Sequence, residues 1–246
     1  MTAIEIQYRP IGWLNISRKI RTTHPDSWEE LTPAQFISAA CVFKETISDD
    51  KLIASMLGLR KRIIRKLSPY QKFSLIELLK FLETYKPYYE FIIPEIAGLR
   101  RPQPRLKDET FGCFIFAETY FERYASTSEP EYLSKFIACF YREALFKESD
   151  IAIRAKIIAD QPLILQEAIF INYILIREWY TEEYPLVFKP AEDQSRKERS
   201  TWLDVYDAVV GDDIVQQERY ANLPISTVLR YLNKRIQSNK NESKVR

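Results

Sequence analysis

Glycine and histidine are scarce in this chain: five glycines and a single histidine, His24, occur in 246 residues. The glycines are scattered, whereas loops that cradle phosphates need several glycines close together so that backbone N–H groups can reach the ligand. Catalytic triads and most zinc sites need histidines or cysteine pairs at fixed spacing. The sequence therefore predicts a non-enzymatic protein with no catalytic residue, no cofactor and no metal site.

His24 and the acidic dipeptides are the remaining candidates for acid–base chemistry. His24 stands in Thr23-His24-Pro25-Asp26, and we expect it to be an exposed turn residue. Adjacent carboxylates occur at 49–50, 182–183 and 212–213. Neighbouring residues on a helix point about 100° apart, so these dipeptides are expected to cap helices or to lie on the surface.

Cysteine and long apolar runs are also scarce. Cys41, Cys113 and Cys139 are odd in number, far apart and surrounded by apolar residues, which predicts buried free thiols in a reducing compartment. The most apolar window, 162–176, is interrupted by polar residues and is shorter than the ~20 residues that span a bilayer. No secretory signal pattern opens the chain. These features predict an intracellular protein without a membrane partner.

Aromatic residues, by contrast, are plentiful, with 15 tyrosines and 14 phenylalanines. Each ring can bury a large apolar area, so a disordered chain is excluded. Apolar residues make up 46% of the chain, charged residues 28%, and the net charge is +2. This balance is typical of a globular protein and carries no overall charge signature for nucleic acid.

Three capping patterns indicate where helices begin: Thr32-Pro33-Ala34-Gln35, Ser68-Pro69-Tyr70-Gln71 and Ser128-Glu129-Pro130-Glu131. Each has a hydroxyl residue at the N-cap, an early proline, and Gln or Glu three residues after the N-cap, followed by apolar residues at helical spacing. Ile4, Ile6 and Tyr8 alternate as in a strand, before a turn at 10–12 and a second strand near Trp13, Leu14 and Ile16. The predicted fold is all-α, a multi-helix bundle with a short N-terminal β-hairpin and a small C-terminal helical module.

The predicted organisation has five parts. They are an N-terminal helical unit (1–86), a basic proline-rich connection (87–108), a central helical core (109–190), a charged linker (191–199) and a C-terminal module with a frayed basic tail (200–246). The core is predicted to hold helices over 111–124, 130–144, 150–159 and 162–182. The last of these is apolar on nearly every side, which predicts a central position.

The strongest charge cluster is a basic run at 60–66. We refer to its charged residues as the basic run: Arg60, Lys61, Arg62, Arg65 and Lys66. Nucleic-acid binding is one interpretation. The other is an ordinary surface helix, because Ile63, Ile64 and Leu67 give the stretch an apolar side.

The C-terminal helices also allow two interpretations. A helix-turn-helix motif would present Ser226, Thr227, Arg230 and Lys234 to a DNA groove. However, the connecting stretch 212–222 is longer than the ~3–4-residue turn of that motif. A small module that offers Val228, Leu229 and Leu232 to a partner helix is equally natural.

A longer pattern resembles a known group of proteins. It is carried by Trp28 to Phe36, Thr110 to Tyr120, Leu133 to Arg142, Arg154-Ala155, Asn172-Tyr173, Trp179, Tyr184 to Phe188, Trp202, Tyr206 and Thr227-Val228-Leu229 with Leu232. Their order resembles small helical proteins encoded among the tail and virion genes of tailed phages and prophages of Bacteroides-type bacteria. Some of these look like tail assembly chaperones, which hold a tape-measure protein before the tail tube polymerises.

The resemblance implies a non-enzymatic phage morphogenesis protein, most simply a tail assembly chaperone that acts by protein–protein contact in the host bacterial cytoplasm. The expected partner is a phage tail or other virion protein such as the tape measure. The partner-binding residues we expect are Trp202, Tyr206, Leu229 and Leu232, on a C-terminal module that is mobile about the 190–199 linker. Homo-oligomerisation and retention in the virion stay open. The alternative is a nucleic-acid-binding regulator that uses the basic run or the C-terminal helices.

Overall fold

The computed structural model describes residues 1–10, 16–44, 46–84, 87–188, 201–211 and 216–245, with the backbone alone at 240 and 242–245. The described residues are mainly helical, with one hairpin of two seven-residue strands at the N-terminus, so the predicted fold class is confirmed. The chain divides into two compact units, unit 1 (Met1–Tyr88) and unit 2 (Tyr89–Arg246). In the described part of the chain, no helix is both long and apolar enough to cross a bilayer.

Unit 1 combines a hairpin with short helices. Strands β1 (Thr2–Tyr8) and β2 (Arg18–His24) pair antiparallel, from Thr2 opposite His24 to Tyr8 opposite Arg18. The second strand starts later than predicted: Ile16 is exposed ahead of it, while Trp13 and Leu14 lie outside the described residues. The helices of unit 1 are α1 (Pro33–Phe43), α2 (Asp49–Leu57), α3 (Lys61–Ile64) and α4 (Pro69–Glu77).

Trp28 is the largest buried side chain of unit 1. Its ring stacks on Phe43 and meets Phe36 and Phe81 edge-on, with centroid distances of 5.9–6.1 Å. The indole N–H donates to the carbonyl of Thr84 at 3.1 Å, so the polar end of this side chain is satisfied. Trp28 therefore links the start of α1 to the end of unit 1.

Two of the three predicted capping boxes are confirmed. Thr32 and Ser68 each accept a hydrogen bond from the backbone N–H three residues on, and the Gln35 and Gln71 side chains accept from the two cap N–H groups at 2.9 Å. The third prediction is wrong. Ser128 adopts the left-handed conformation (φ 58°) and donates its N–H to Tyr124, so it ends the preceding helix and does not cap the next one.

Unit 2 is built around the long helix over residues 163–183, which was predicted to be central. Its elements are β3 (Glu95–Ile96), β4 (Leu99–Arg100), α5 (Phe111–Thr127), α6 (Pro130–Phe140), α7 (Ile151–Ala159), α8 (Leu163–Glu183), α9 (Pro185–Phe188), α10 (Trp202–Val210), α11 (Gln217–Ala221) and α12 (Ile225–Val245). An aromatic cluster joins α5, α6 and α8. Its rings, with centroids 4.6–6.0 Å apart, belong to Phe121, Phe136, Phe140, Phe170 and Tyr173.

The stretch 87–108, predicted as a connection, differs in the structure: from Tyr89 on it belongs to unit 2. Phe91, Ile92, Ile93, Ile96 and Leu106 are buried. The Asn172 side chain accepts from the N–H of Ile92 at 2.6 Å and donates to the carbonyl of Glu90 at 2.9 Å. Prolines end helices, but they do not prevent an irregular strand from packing when side chains of the core satisfy its backbone groups.

The C-terminal helices dock on α5 through backbone hydrogen bonds. Phe111 donates to Leu223 at 2.8 Å, and Ile225 donates to Glu109 at 3.0 Å. A Cβ on Gly112 would lie 3.2 Å from the Ala221 Cβ, so glycine permits this close approach of α11 to α5. Helix α12 runs to Val245, through the tail predicted to be frayed. The predicted 191–199 linker lies outside the described residues.

All three cysteines are free thiols, as predicted, although only Cys113 and Cys139 are buried. Burial raises the pKa of both thiols, and the Cys113 thiol donates to the Cys139 carbonyl at 3.4 Å. Cys41 is half-buried on α1. The two buried thiols therefore act as small apolar core residues.

Candidate functional site

An open cleft of about 670 Å³ lies between α6, α7 and the start of α8. Its walls combine five small or apolar residues with six polar or charged ones, and most of the lining surface is apolar. The lining residues are Pro130, Glu131, Ser134, Lys135, Ala152, Ala155, Lys156, Ala159, Gln161, Leu163 and Gln166. Because the walls of α7 are mostly alanine, the backbone of a bound segment could approach this helix closely.

Helix α7, which forms one wall of the cleft, is apolar around most of its circumference. Ile151, Ala155 and Ile158 face the core and are buried, whereas Ile153 and Ile157 are 64% and 47% exposed on the outward side. A helix that is apolar on every side is normally enclosed by neighbours. Here one side of α7 meets only the cleft and solvent.

The polar groups at the base of the cleft are already satisfied. Gln166 is buried, donates to the carbonyl of Gln161 at 2.9 Å and accepts from the Ser134 hydroxyl at 3.1 Å. On the rim, Lys135 pairs with Glu131 at 2.5 Å. Lys156 forms no ion pair with any described residue, so the rim keeps one uncompensated positive charge.

The predicted partner-binding residues are engaged within unit 2. The Trp202 ring meets Phe114 edge-on at 4.7 Å and lies 5.4 Å from Phe188. The Tyr206 hydroxyl donates to the carbonyl of Gln217 at 2.6 Å. These contacts hold α10 against α5, α9 and α11.

The two predicted leucines are also turned inward. Leu229 is fully buried, together with Ile225 and Val228, and Leu232 is half-buried. Leu229 is therefore not available to a partner in this conformation, which corrects the expectation for that residue. The apolar face of α12 is covered by its own unit, because backbone hydrogen bonds fix the start of α12 against α5.

The exposed face of α12 carries the residues considered for a DNA groove: Ser226, Thr227, Arg230 and Lys234. Helix α11 lies inside the stretch 212–222 that was expected to connect two helices. A three-residue segment, 222–224, separates α11 from α12. The spacing of α11 and α12 is thus closer to a short turn than the sequence suggested.

The basic run lies on and around α3 in unit 1. Its five charged side chains are exposed, while Ile63, Ile64 and Leu67 are buried beneath them. The run is therefore the charged face of an amphipathic surface segment, as one of the two interpretations required. That geometry is compatible with nucleic-acid binding, because every charge points to solvent.

Two carboxylates are buried against arginines in unit 2, and no local sequence pattern predicts these pairs. Glu109 accepts from Arg142 at 2.5 Å, and Glu118 accepts from the Tyr173 hydroxyl at 2.7 Å and lies 3.0 Å from Arg177 Nη2. Burial raises the pKa of Glu118, while Arg177 and the Tyr173 hydroxyl oppose the increase. For Glu118, the one indication in the sequence is an acidic residue among aromatic ones on α5. Its partners cannot be predicted from that pattern, because they are 55 or more residues away.

His24 is also placed differently from the prediction. It ends β2, is buried, and its Nδ1 lies 3.1 Å from the Pro25 carbonyl and 3.3 Å from Asp26 Oδ1. In the hairpin register His24 lies opposite Thr2. Among the described residues, no three His, Cys, Asp or Glu side chains converge as a metal site.

No family model matches the chain, and no curated protein or solved structure is significantly similar to it.

Proposed function

We propose that this chain is a non-enzymatic binding protein whose unit 2 covers an amphipathic helix of a partner protein in the α6–α7 cleft. The resemblance in sequence makes a phage tail protein, the tape measure above all, the partner to test first. In that role the chain is a tail assembly chaperone, which shields an apolar helix until the tail is built.

The observation that carries the proposal is the apolar, alanine-walled cleft beside an exposed isoleucine pair. Helix-in-groove recognition uses apolar residues of one helix face, seated in a groove between other helices. Small residues on the groove walls allow the close approach that this requires. Ile153 and Ile157 extend the apolar surface along the outer side of α7.

The charges on the rim suggest the chemistry of the partner. Glu131 is neutralised by Lys135, whereas Lys156 has no counter-charge among the described residues. An acidic residue at the edge of the partner's apolar face would complement Lys156, and such rim charges favour correct docking more than they add affinity.

The buried carboxylates support a binding role over catalysis. Glu109 and Glu118 each face a cation inside the unit, and neither lines the cleft. A general acid or base must reach its substrate within hydrogen-bond distance. In the described cleft, the titratable side chains are Glu131, Lys135 and Lys156, and the first two pair with each other.

The test is retention of a tape-measure protein of a tailed phage by the purified full chain. The double variant Ala152→Glu and Ala159→Glu places carboxylates on the cleft wall at two exposed positions. We expect it to bind about tenfold or more weakly, since a desolvated charge opposes apolar docking.

Ala125→Glu is the matched control, because Ala125 is an exposed helical alanine on α5 outside the cleft lining. It should bind like the unsubstituted chain. Equal retention of all three proteins would show that the cleft is not the binding site. Absence of binding to every tail protein would remove the phage assignment.

A further inference from the structure

The charges of the basic run are uncompensated, unlike those of four other cations in unit 1. Lys19 and Arg21 pair with Glu5, Lys72 pairs with Asp50, and Lys80 pairs with Glu77. None of the five charged residues of the basic run forms an ion pair with the described part of the chain. All five are exposed to solvent, whereas Ile63, Ile64 and Leu67 of the same segment are buried.

A sixth cation extends this surface. Arg9 and Lys66 line one cleft of about 440 Å³ at the loop end of the hairpin, with polar neighbours that include Ser17 and Ser68. Gln71 donates to the carbonyl of Gln7 at 2.6 Å and so ties α4 to β1 at this cleft. Arg9 therefore lies near Lys66, at one end of the basic run.

Two aromatic rings on the helix that follows the basic run, α4, are exposed to solvent. Tyr70 and Phe73 are 79% and 63% exposed, the highest values among the large aromatic residues described. They are three residues apart on α4, so both rings lie on its outward face. Neither contacts another aromatic ring in the described structure, and α4 begins three residues after Lys66.

We propose that unit 1 binds single-stranded nucleic acid, with phosphates on the basic run and Arg9, and with unpaired bases stacked on Tyr70 and Phe73. Proteins that bind single strands combine a positive groove for the backbone with exposed aromatic side chains for the bases. Bases inside a duplex are already stacked, so the rings select the single strand.

A membrane surface fits these observations less well. Interfacial helices bury a broad apolar face among lipid headgroups. Here the isoleucines of α3 are buried in the core, so the basic run has no broad apolar face to place in a membrane. The proposal is independent of the α6–α7 cleft, which belongs to unit 2.

The test is fluorescence anisotropy of a labelled oligothymidylate of about 20 nucleotides, titrated with the full chain between about 50 and 200 mM salt. The logarithm of the association constant should fall linearly with the logarithm of the salt concentration, by about 0.7 per phosphate neutralised. Arg62→Gln with Arg65→Gln should weaken binding about tenfold and reduce the salt slope by roughly 1.4.

The matched control is Lys19→Gln with Arg21→Gln, which removes the same charge from residues that already pair with Glu5. It should change the affinity less than about twofold. Tyr70→Ala with Phe73→Ala should weaken binding by roughly tenfold or more while leaving the salt slope unchanged, because stacking releases no counterions. Both rings are exposed, so this variant should keep the unsubstituted melting temperature.

Three results would overturn the proposal. One is no binding at the lowest salt concentration. Another is equal affinity for a duplex of the same length with no effect of the aromatic variant, which would indicate a duplex-binding charge patch. The third is sedimentation with vesicles of phosphatidylserine and phosphatidylcholine without oligonucleotide binding. The cleft variant Ala152→Glu with Ala159→Glu should bind the oligonucleotide normally, so each proposal can fail alone.

Discussion

Unit 1 and unit 2 differ in whether their notable charged side chains are exposed or buried. Unit 1 has 14 basic and nine acidic residues, and the charges of its basic run face solvent. Unit 2 has 22 basic and 25 acidic residues, and it buries two carboxylates, Glu109 and Glu118, against arginines. A buried ion pair seldom adds net stability, but it restricts which partners its groups can have. An unpaired surface charge remains available to a ligand.

The two units also expose different apolar surfaces. Unit 1 exposes aromatic rings beside its cations, and unit 2 exposes aliphatic side chains beside a cleft of small residues. Aromatic faces suit flat ligands such as bases, whereas an aliphatic groove suits another helix. One chain thus offers two surfaces of distinct chemistry. The following predictions test that contrast, from the largest expected effect to the smallest.

Removing a ring from the aromatic cluster of unit 2 should have the largest effect. Phe136 is fully buried against four other rings, so Phe136→Ala should lower the free energy of unfolding by about 3–5 kcal/mol. The exposed ring Phe73 is the control, since Phe73→Ala should stay within about 0.5 kcal/mol. Urea unfolding measures both, and equal losses would contradict the placement of these rings.

A larger side chain at the close contact between α5 and α11 should have a smaller effect on stability. Gly112→Val places a Cβ 3.2 Å from the Ala221 Cβ and should cost about 1–3 kcal/mol through overpacking. The N–H of Ile225 bonds across the same junction, so its hydrogen exchange should accelerate. The control is Gly58→Ala. A Cβ there would meet open space, although the backbone φ of +63° is strained for alanine. This variant should leave hydrogen exchange at Ile225 unchanged.

Buried and exposed carboxylates should respond to pH with opposite signs. Burial raises the pKa of Glu118 in the folded state above 4.5, so its contribution favours folding at low pH and declines as the pH rises through the raised pKa. The stability of Glu118→Gln relative to the unsubstituted chain should therefore increase with pH over that window. Unfolding at a series of pH values measures this, and a flat difference would contradict a buried carboxyl.

Glu5 in unit 1 provides the opposite case. Hydrogen bonds from Lys19 and Arg21 lower its pKa, so its contribution to stability is present above 4.5 and is lost as the pH falls. Because the Glu5 carboxylate is exposed to solvent, the change with Glu5→Gln should be the smallest of the series. A larger pH response at Glu5 than at Glu118 would reverse the comparison between the units.

Local features were readable from the sequence because their physics is local. The caps at Thr32 and Ser68 involve groups within four residues, and the alternation in β1 predicts a strand wherever that strand pairs. Ser128 shows the limit of such patterns. The same residues can cap the next helix or end the previous one, and the length of α5 decided which occurred.

The candidate sites also include residues that the sequence could predict and residues that it could not. The basic run was identifiable because charged residues near one another in sequence stay near one another in space. Its aromatic neighbours and Arg9 were not, since their exposure and position depend on how the hairpin and α4 pack. Leu229 and Trp202 were expected to meet a partner because an apolar face has the same pattern whether an internal or an external surface covers it.

The sequence by itself determined that this protein is mainly helical, where most of its helices begin, and that glycine-rich phosphate loops are absent. Only the tertiary structure decided that the stretch after Tyr88 joins unit 2, that α12 buries Leu229, and that α6 and α7 leave a cleft between them. The physical reason is the separation along the chain between the residues that interact. Capping and periodicity act over one or two helical turns, whereas a cleft or a buried ion pair depends on side chains brought together from distant parts of the chain.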